Sequence, residues 1–488
     1  MTSPALIPGV ILIPLSMAAL FFFVRRPVPG LLVSVPALGI PLCSSGIALQ
    51  VLKDGPLHYA VGGWREPLGI ALYADGLSAA LLLMTAVVGS CISVYSLGYF
   101  RKNIHSGQGE LFWPLWMFLW AALNALYLSA DIFNIYVTLE LLGLSGVALI
   151  TLSGDKAALT GGMRYLLIAV LGSLSYLLGV ALLYNAHSTL SMPMLSRLAS
   201  AGIPTHAALA LMTVGLLLKT ALFPLHFWLP PAHASAPSPV SALLSGLVVK
   251  ASFYLLARLW TVFSSALLSG AAPFLGALGA AAILWGSFFA LRQKSLKMLI
   301  AYSTVAQLGY LFLLFPLSLP GAGAGYPVRE AWNGSLYHLL SHAFAKAAMF
   351  MAAGNIIHAL GHDRLDGMSG IGHRLPVTFF ALGLSGISIM GLPPSGGFAA
   401  KWLLLIASLK SGQWWWAVFI IAGSLMAAGY VFLIYRHAFE QNQTEDQVYP
   451  VHPVPGSMEL STLSLAVLSL LLGITAEPVL KLVTSATP

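Results

Sequence analysis

Two histidines and a lysine lie on one face of a predicted apolar helix. Within the stretch SLYHLLSHAFAKAAMF, His338, His342 and Lys346 are spaced four residues apart, which places them on the same side of an α-helix. Imidazole titrates near neutral pH, and a lysine held away from water can release its proton. This 338–346 stripe therefore has the chemistry of a proton relay. Hydrogen bonding between packed helices is the alternative role that the pattern leaves open.

Three more lysines interrupt apolar segments, at Lys219, Lys250 and Lys401. A lysine at the centre of a membrane-spanning helix costs roughly 2.5–3.5 kcal/mol on insertion scales, and packing alone does not require it. Glu140, in NIYVTLELLGLSG, is the single carboxylate deep in a predicted span. An ionised carboxylate there needs a cation, and a buried lysine is the available partner. We therefore expect these four side chains to be functional.

Proline-rich stretches follow Lys219 in LLLKTALFPLHFWLPPAH and precede Lys401 in IMGLPPSGGFAAKW. Proline breaks a helix, and broken helices at membrane depth are tolerated only where they line protein or a water-filled cavity. The mirrored order, with lysine before the first break and after the second, fits an inverted repeat. His226 and His233 lie near the first break, where a structural role and proton transfer are equally open.

Three other ionisable residues have simpler explanations. Asp75 and Asp131 lie near predicted helix starts, where an acid is often a first-turn residue. Arg258 lies near a predicted helix end, where its long side chain can reach the lipid headgroups.

The composition is that of a membrane protein. Only 8% of the 488 residues are charged and 58% are hydrophobic, whereas a soluble domain is about 25% charged. Apolar runs of about 20 residues recur along the chain, which indicates a polytopic helical protein of the lipid bilayer. The net charge of +8 comes from scattered basic residues and does not indicate nucleic acid binding. With two cysteines and no nucleotide-binding motif, we expect no cofactor and no metal site in this chain.

The apolar runs predict an all-α fold of fourteen transmembrane helices, and strand-type alternation is absent. Two short pieces, 225–232 and 398–411, follow the proline-rich breaks. The fourteen predicted helices are 5–24, 29–52, 72–100, 112–130, 132–152, 164–185, 206–223, 238–262, 271–291, 296–316, 332–360, 376–391, 414–436 and 459–482.

Basic residues are distributed unevenly over the predicted loops, with twelve after odd-numbered helices and six after even-numbered ones. The positive-inside rule then places both termini outside the cytoplasmic membrane of the cell. No basic residue precedes Arg25, so we expect no cleaved signal peptide. The twelve are Arg25, Arg26, Arg101, Lys102, Lys156, Arg164, Arg292, Lys294, Lys297, Arg364, Arg374 and Arg436, and the six are Lys53, Arg65, Arg197, Arg329, Lys410 and Lys481.

The sequence resembles the antiporter-like, proton-conducting subunits shared by Mrp-type Na⁺/H⁺ antiporters, respiratory complex I and membrane-bound hydrogenases. The matching stretches are DIFNIYVTLELLGLSGVALI, LLKTALFPLHFWLPPAHASAPSPVSALLSGLVVKASFYLLAR, SHAFAKAAMF and GLPPSGGFAAKW. The resemblance implies two inverted five-helix repeats, at helices 4–8 and 9–13. The implied domains are an N-terminal three-helix segment at 1–110, the first repeat at 111–262, the second at 263–438, and a C-terminal loop and last helix at 439–488.

The resemblance also implies residue roles. Glu140 and Lys219 would form an intramembrane pair that modulates proton affinity, and Lys250 would be the central relay. The 338–346 stripe would connect Lys250 to Lys401, the terminal lysine of the second half-channel. This chain has WLPPAH where many members of the family carry an acid in WLPDAH, so that acid has no counterpart here.

The combined interpretation is a proton-translocating subunit that works with other membrane subunits of a hetero-oligomeric complex, most like the D subunit of an Mrp-type antiporter. A proton-pumping subunit of a complex I-like NADH–quinone oxidoreductase or of a membrane-bound hydrogenase is the alternative. The interior offers few oxygen ligands, which favours H⁺ through this chain and leaves Na⁺ coupling open. A stand-alone transporter of an anionic solute would cluster its charges at the midplane, and a quinone-reactive enzyme would need a cofactor ligand set.

Overall fold

A computed structural model describes residues 6–24, 28–64, 69–101, 108–263, 269–319, 329–440 and 452–485. Within these ranges the chain is built almost entirely of α-helices, which confirms the polytopic all-α membrane fold. Part of the orientation argument falls outside the described residues, and the orientation stays a prediction. The basic residues concerned are Arg25, Arg26, Arg65 and Lys102.

The first half of the chain ends in a span that contains a π-helical turn. This turn, Leu244–Val248, joins two helices into the continuous span Ser238–Val262. The helices up to this point are α1 Leu6–Phe23, α2 Gly30–Asp54, α3 Gly76–Arg101, α4 Gln108–Leu128, α5 Ile132–Ile150, α6 Lys156–His187, α7 Met192–Leu198, α8 Ile203–Thr220, α9 Leu229–Ser235, α10 Ser238–Leu243 and α11 Val249–Val262.

The second half contains the long helix that carries the 338–346 stripe, and it ends in two helices bent by 83° against each other. Its helices are α12 Ala272–Leu291, α13 Leu296–Phe312, α14 Leu314–Leu317, α15 Arg329–Leu360, α16 Ile371–Arg374, α17 Pro376–Met390, α18 Gly396–Lys410, α19 Trp415–Phe439, α20 Gly456–Leu471 and α21 Ala476–Thr484.

The number of spans is close to the predicted number. Among the described residues, twelve helices are long and apolar enough to cross a membrane, or thirteen if the bent pair α20 and α21 forms one span. The remaining predicted span corresponds to α17, which has 15 residues. A helix of that length reaches about 23 Å, which is short of a hydrocarbon core of about 30 Å. The count of fourteen, the two inverted repeats and the domain boundaries therefore stay predictions.

A small β-hairpin between α2 and α3 was missed by the sequence analysis. Strand β1, Leu57–Ala60, pairs antiparallel with β2, Ala71–Ala74. The predicted start of the third helix at residue 72 is therefore wrong, because the chain is extended up to Asp75. The helix begins only at Gly76, where the Asp75 carboxylate accepts a hydrogen bond of 2.9 Å from the Ser78 N–H.

Two spans form the buried centre of the protein. Every residue from 236 to 257, in α10 and α11, and from 334 to 356, in α15, is buried. A helix that is buried on all sides is surrounded by protein. Peripheral helices differ, since Leu31 and Leu42 of α2 are 81% and 73% exposed. Titratable side chains on α11 and α15 therefore face protein and not lipid.

The two predicted helix breaks are confirmed. After α8 the chain turns through Ala221, which has a left-handed backbone with φ of 58°, and α9 follows the break. After α17 the chain turns through Gly391, with φ of 82°, and α18 follows. The short pieces expected at 225–232 and 398–411 correspond to α9 and α18.

Candidate functional site

Two fully buried lysines lie at the centre of the protein and contact backbone carbonyls. Lys250, at the start of α11, donates a hydrogen bond to the carbonyl of Ser245 in the π-helical turn. Lys346 of α15 donates to the carbonyl of Ile300, at 3.1 Å, and to the hydroxyl of Ser303, both in α13. The two ammonium groups are close enough to interact electrostatically. The sequence-predicted relay residues of α11 and α15 are thus brought together.

The two histidines of the stripe stack on each other inside the protein. The rings of His338 and His342 are 5.7 Å apart and nearly parallel, at 4°, and both side chains are almost fully buried. The Nε2 atom of His338 lies 3.2 Å from the Gln307 carbonyl. Both ring nitrogens of His342 are buried and have no hydrogen-bond partner among the residues that the structure describes. Buried polar groups in proteins are normally paired with protein or with ordered water, so we expect water beside His342.

Lys401 lies at the second helix break. Its ammonium donates to the carbonyl of Ile389, at 2.8 Å, and to the hydroxyl of Ser424, at 3.1 Å. It also lies 4.5 Å above the ring of Tyr310, which favours a cation. The same ring is 5.3 Å from that of His338. Tyr310 therefore lies between His338 of the stripe and Lys401.

The carbonyls that bind Lys401 are available because α17 ends there. The last carbonyl groups of a helix have no N–H donor from a following turn, and the Lys401 ammonium donates to them instead. A cavity of about 180 Å³ borders Lys401 and is lined by Trp402, Ser424 and Leu425 among others. The break thus gives the lysine both hydrogen-bond acceptors and space.

Lys219 and Glu140 lie near each other but are not in direct contact. Lys219 is 7% exposed, and its ammonium reaches α5 at Gly143, one turn after Glu140: a Cβ added to that glycine would lie 3.7 Å from the Nζ atom. The two charges are close enough to interact electrostatically. Among the ion pairs within 4.0 Å in the described residues, none joins them. In this structure the two side chains are therefore neighbours and do not form a direct ion pair.

The two accessory histidines have different surroundings. His233 is fully buried and stacks on Phe350 of α15 at 4.7 Å, and in the described part of the chain neither of its ring nitrogens has a hydrogen-bond partner. It interacts electrostatically with Lys250 and Lys346, so it belongs to the central cluster. His226 stacks instead on Phe223, at 5.7 Å, within the first break. The structure therefore joins only His233 to the predicted path.

Lys297 is a buried residue that the sequence analysis missed. The sequence analysis counts it among the basic residues on the cytoplasmic side, at the start of the span predicted at 296–316, but it lies in the first turn of α13 and is 4% exposed. Its ammonium donates to the carbonyls of Ala234, at 3.3 Å, and Ala236, and it interacts electrostatically with His233. The helix N-terminus is an unfavourable place for a cation, and a lysine directly after a predicted helix start could have signalled a special contact.

Arg258 does not reach the headgroups, which corrects the simpler explanation given above. Its guanidinium forms a two-pronged ion pair with Asp75, with both N–O distances at 2.5 Å, and both side chains are largely buried. Its Nε atom also donates to the Tyr254 hydroxyl at 2.9 Å. Asp75 therefore caps α3 and binds an arginine of α11 as well.

The titratable side chains form one row across the interior. At the Lys346 end of the stripe lie Lys250, His233 and Lys297. At the His338 end lies Lys401. The groups can each hold or release a proton, and the unpaired imidazole nitrogens offer places for water between them. A row of this kind can pass protons stepwise, whereas a single solute site would concentrate its charges in one pocket.

Two segments match known protein families. Residues 129–427 match the family described as "NADH:quinone oxidoreductase/Mrp antiporter, TM". The chain belongs to this family. Residues 66–107 also match "NADH-Ubiquinone oxidoreductase (complex I), chain 5 N-terminus". The first match of this antiporter-family chain includes both helix breaks and the whole 338–346 stripe.

Relatives of this antiporter-family chain are components of membrane complexes. It is 34% identical to the N subunit of the NADH-quinone oxidoreductase of Desulforudis audaxviator, over 91% of this chain and 89% of the relative. It is 29% identical to the D subunit of the Na⁺/H⁺ antiporter of Alkalihalophilus pseudofirmus, over 98% of this chain and 94% of the relative. A chain in the structure of the membrane-bound sulfane sulfur reductase, an archaeal respiratory complex, superimposes with a TM-score of 0.88 at 28% identity, covering 99% of this chain and 96% of that chain.

Proposed function

We propose that this chain is the proton-translocating, antiporter-like subunit of a multi-subunit membrane complex in the cell membrane. The observation that carries the proposal is the row of buried lysines and histidines, which extends to the helix breaks. Buried charge at membrane depth is costly and usually functional. The relatives named as an antiporter D subunit and a quinone oxidoreductase N subunit support ion transport coupled to a partner reaction.

Protons move through the row in steps. A proton arrives from one side of the membrane and rests on Lys219 or Lys250. While Glu140 is close, its negative charge stabilises the Lys219 ammonium. When Glu140 moves away, the lysine loses this stabilisation and releases its proton towards Lys250.

The second half of the transfer runs from Lys250 to Lys401. The proton passes to the imidazoles of His342 and His338, with water bound to their unpaired nitrogens. From His338 it reaches Lys401 beside Tyr310. The carbonyl and hydroxyl acceptors around Lys401 stabilise its charged form until the proton leaves through the adjacent cavity. Both termini lie outside the cell in this proposal, following the distribution of basic residues.

The partner subunits supply the driving reaction. This chain has the fold of subunits that assemble with others in respiratory and antiporter complexes. Glu140 is only partly buried within the chain, so a neighbouring subunit can approach it and change its position. The Mrp-type antiporter and the complex I-like pump differ in that partner and share the same path in this chain.

The proposal is tested with Glu140→Ala and Lys219→Ala in the assembled complex, reconstituted into liposomes. Both variants should lose proton-coupled activity by at least 10-fold while the subunit composition stays the same. Lys410→Ala, at a surface lysine paired with Glu330, is the matched control and should retain activity. Normal proton transport by the Glu140→Ala complex would contradict the mechanism.

A further inference from the structure

A cavity lined by both apolar and polar side chains lies beside the β-hairpin, away from the row that leads to Lys401. It has a volume of about 250 Å³ and is bordered by the buried Asp75–Arg258 ion pair. The hairpin contributes two aromatic side chains in contact, His58 and Tyr73, whose ring centres are 4.8 Å apart and whose planes are tilted by 52°. Thr261, in the last turn of α11, lies at its edge. The mechanism above does not use this cavity.

One face of α11 connects this cavity to the central lysine. Lys250, Tyr254 and Arg258 are spaced four residues apart and therefore lie on the same side of the helix. Lys250 is midway along the span Ser238–Val262. Arg258 is eight residues closer to the hairpin, about 12 Å along the helix axis. The path from Lys250 to the cavity is thus short and passes Tyr254.

The hydroxyl of Tyr254 is held at the inner wall of the cavity. It accepts a hydrogen bond from Arg258 Nε at 2.9 Å and donates to the Tyr127 carbonyl at 3.0 Å. The hydroxyl of Ser78 lies 3.3 Å away. Asp75, in turn, fixes the arginine with two charge-assisted bonds, which are the strong kind. The cluster therefore lies between the cavity and Lys250.

We propose that the cavity is a water-filled vestibule that gives Lys250 a second proton access, on the hairpin side of the membrane, and that the Asp75–Arg258 pair is its gate. A proton released by the Lys250 ammonium passes to water, then past the Tyr254 hydroxyl to water in the vestibule. His58, Tyr73 and Asp75 are the titratable groups that it meets there. The inference rests on the proposed function, because it needs Lys250 to carry a proton.

The gate follows from charge and placement. A protonated Lys250 is a second cation on the face of α11 that carries Arg258. Because like charges repel, it weakens the binding of Arg258 to Asp75. A neutral Lys250 removes that repulsion. Access to the vestibule is therefore open mainly when there is a proton to pass, which prevents free leakage between the hairpin side and Lys401.

A thiol placed in the vestibule tests the proposal in the assembled complex. Cys43 and Cys91 are first replaced by alanine, and Thr261→Cys is then compared with Ser200→Cys, an exposed position outside the cavity. A membrane-impermeant maleimide should modify Thr261→Cys from the hairpin side only and lower proton flux at least 5-fold. The same reagent on Ser200→Cys should leave the flux unchanged. If Thr261→Cys is not labelled, or if it is labelled and the proton flux does not change, the proposed vestibule is wrong.

A second variant removes one oxygen only. Tyr254→Phe keeps the ring that packs edge-on against Tyr127 at 5.2 Å, and should lower proton flux at least 5-fold. Tyr176→Phe, at an equally buried tyrosine of α6, is the control and should be neutral. If Lys250→Met blocks flux while Tyr254→Phe does not, the second access is wrong and the proposed function stands. If Lys250→Met itself is active, the proposed function fails first.

Discussion

His338 and His342 stack in parallel, 5.7 Å apart, in the part of α15 where every residue from 334 to 356 is buried. Lys346 follows His342 on the same helix face and Lys401 lies beyond His338, and no described residue forms a hydrogen bond with either nitrogen of His342. Histidines that only hold helices together would be expected to use their nitrogens for that purpose. Of the two roles that the sequence leaves open, the unpaired nitrogens favour the relay.

The first prediction concerns His342. His342→Phe keeps a flat ring of similar size against His338 and removes both nitrogens, so proton flux through the reconstituted complex should fall at least 10-fold. His206→Phe, at an exposed histidine at the start of α8, is the control. If the His342→Phe complex transports protons at the wild-type rate, the stripe serves packing and not proton transfer.

The second prediction uses the glycine of the second break. A Cβ at Gly391 would lie 2.7 Å from the Lys401 Cδ atom, so Gly391→Ala should shift the lysine side chain. Gly412 has a similar backbone, with φ of 71°, and nothing within 4 Å of an added Cβ. Both alanine variants carry a strained backbone of about 1–2 kcal/mol, but only Gly391→Ala should lose proton flux. Equal flux in the two variants would show that the position of Lys401 does not matter.

The third prediction concerns the packing of the helices around Lys219. A Cβ at Gly215 would lie 2.4 Å from the backbone oxygen of Gly172, whereas one at Gly143 would lie 3.7 Å from the Lys219 ammonium, an ordinary contact. Gly215→Ala should therefore force α6 and α8 apart and lower the thermal unfolding temperature of the detergent-solubilised complex. Gly143→Ala should leave that temperature within error of wild type. The reverse ranking would contradict the packing described here.

The fourth prediction concerns a helix start outside the membrane. The Ala158 N–H donates to the Asp155 carboxylate at 2.8 Å, and this bond lowers the pKa of Asp155 below its usual value. A carboxyl group whose folded pKa is lowered stabilises the fold above its unfolded pKa, near 3.8, and this contribution is lost as the pH falls further. Asp155→Ala should cost roughly 0.5–1 kcal/mol at pH 7 and less at pH 3. The free energy of unfolding of wild type and variant is measured at both pH values. A difference between them that is larger at pH 3 than at pH 7 would contradict the capping role of Asp155.

Much of the fold was predictable because hydropathy determines where spans lie. The helix breaks were predictable as well, since proline acts locally on the backbone. The early start of α6, at Lys156 and not at residue 164, was missed because a cap at Asp155 extends a helix through polar residues that hydropathy assigns to a loop. The hairpin was missed because its strands are only four residues long.

The site was predictable where a charge stands inside an apolar run, as with Lys250 and Lys401. Lys297 was missed because it lies one turn from a loop, and its burial depends on carbonyls more than sixty residues earlier in the chain. The partnership of Asp75 with Arg258 spans 183 residues and has no local signal. Contacts of that kind are set by tertiary packing, which a single sequence does not display.

The central claim is that protons cross the protein through Lys250. It is tested most directly by measuring proton flux, with an entrapped pH-sensitive dye, in liposomes that contain the complex with Lys250→Met. Methionine has a similar length and no titratable group, and Lys410→Met provides the surface control. We expect the Lys250→Met complex to assemble with all its subunits and to lose proton flux at least 10-fold. A complex that assembles and transports protons at the wild-type rate without this ammonium would contradict the account.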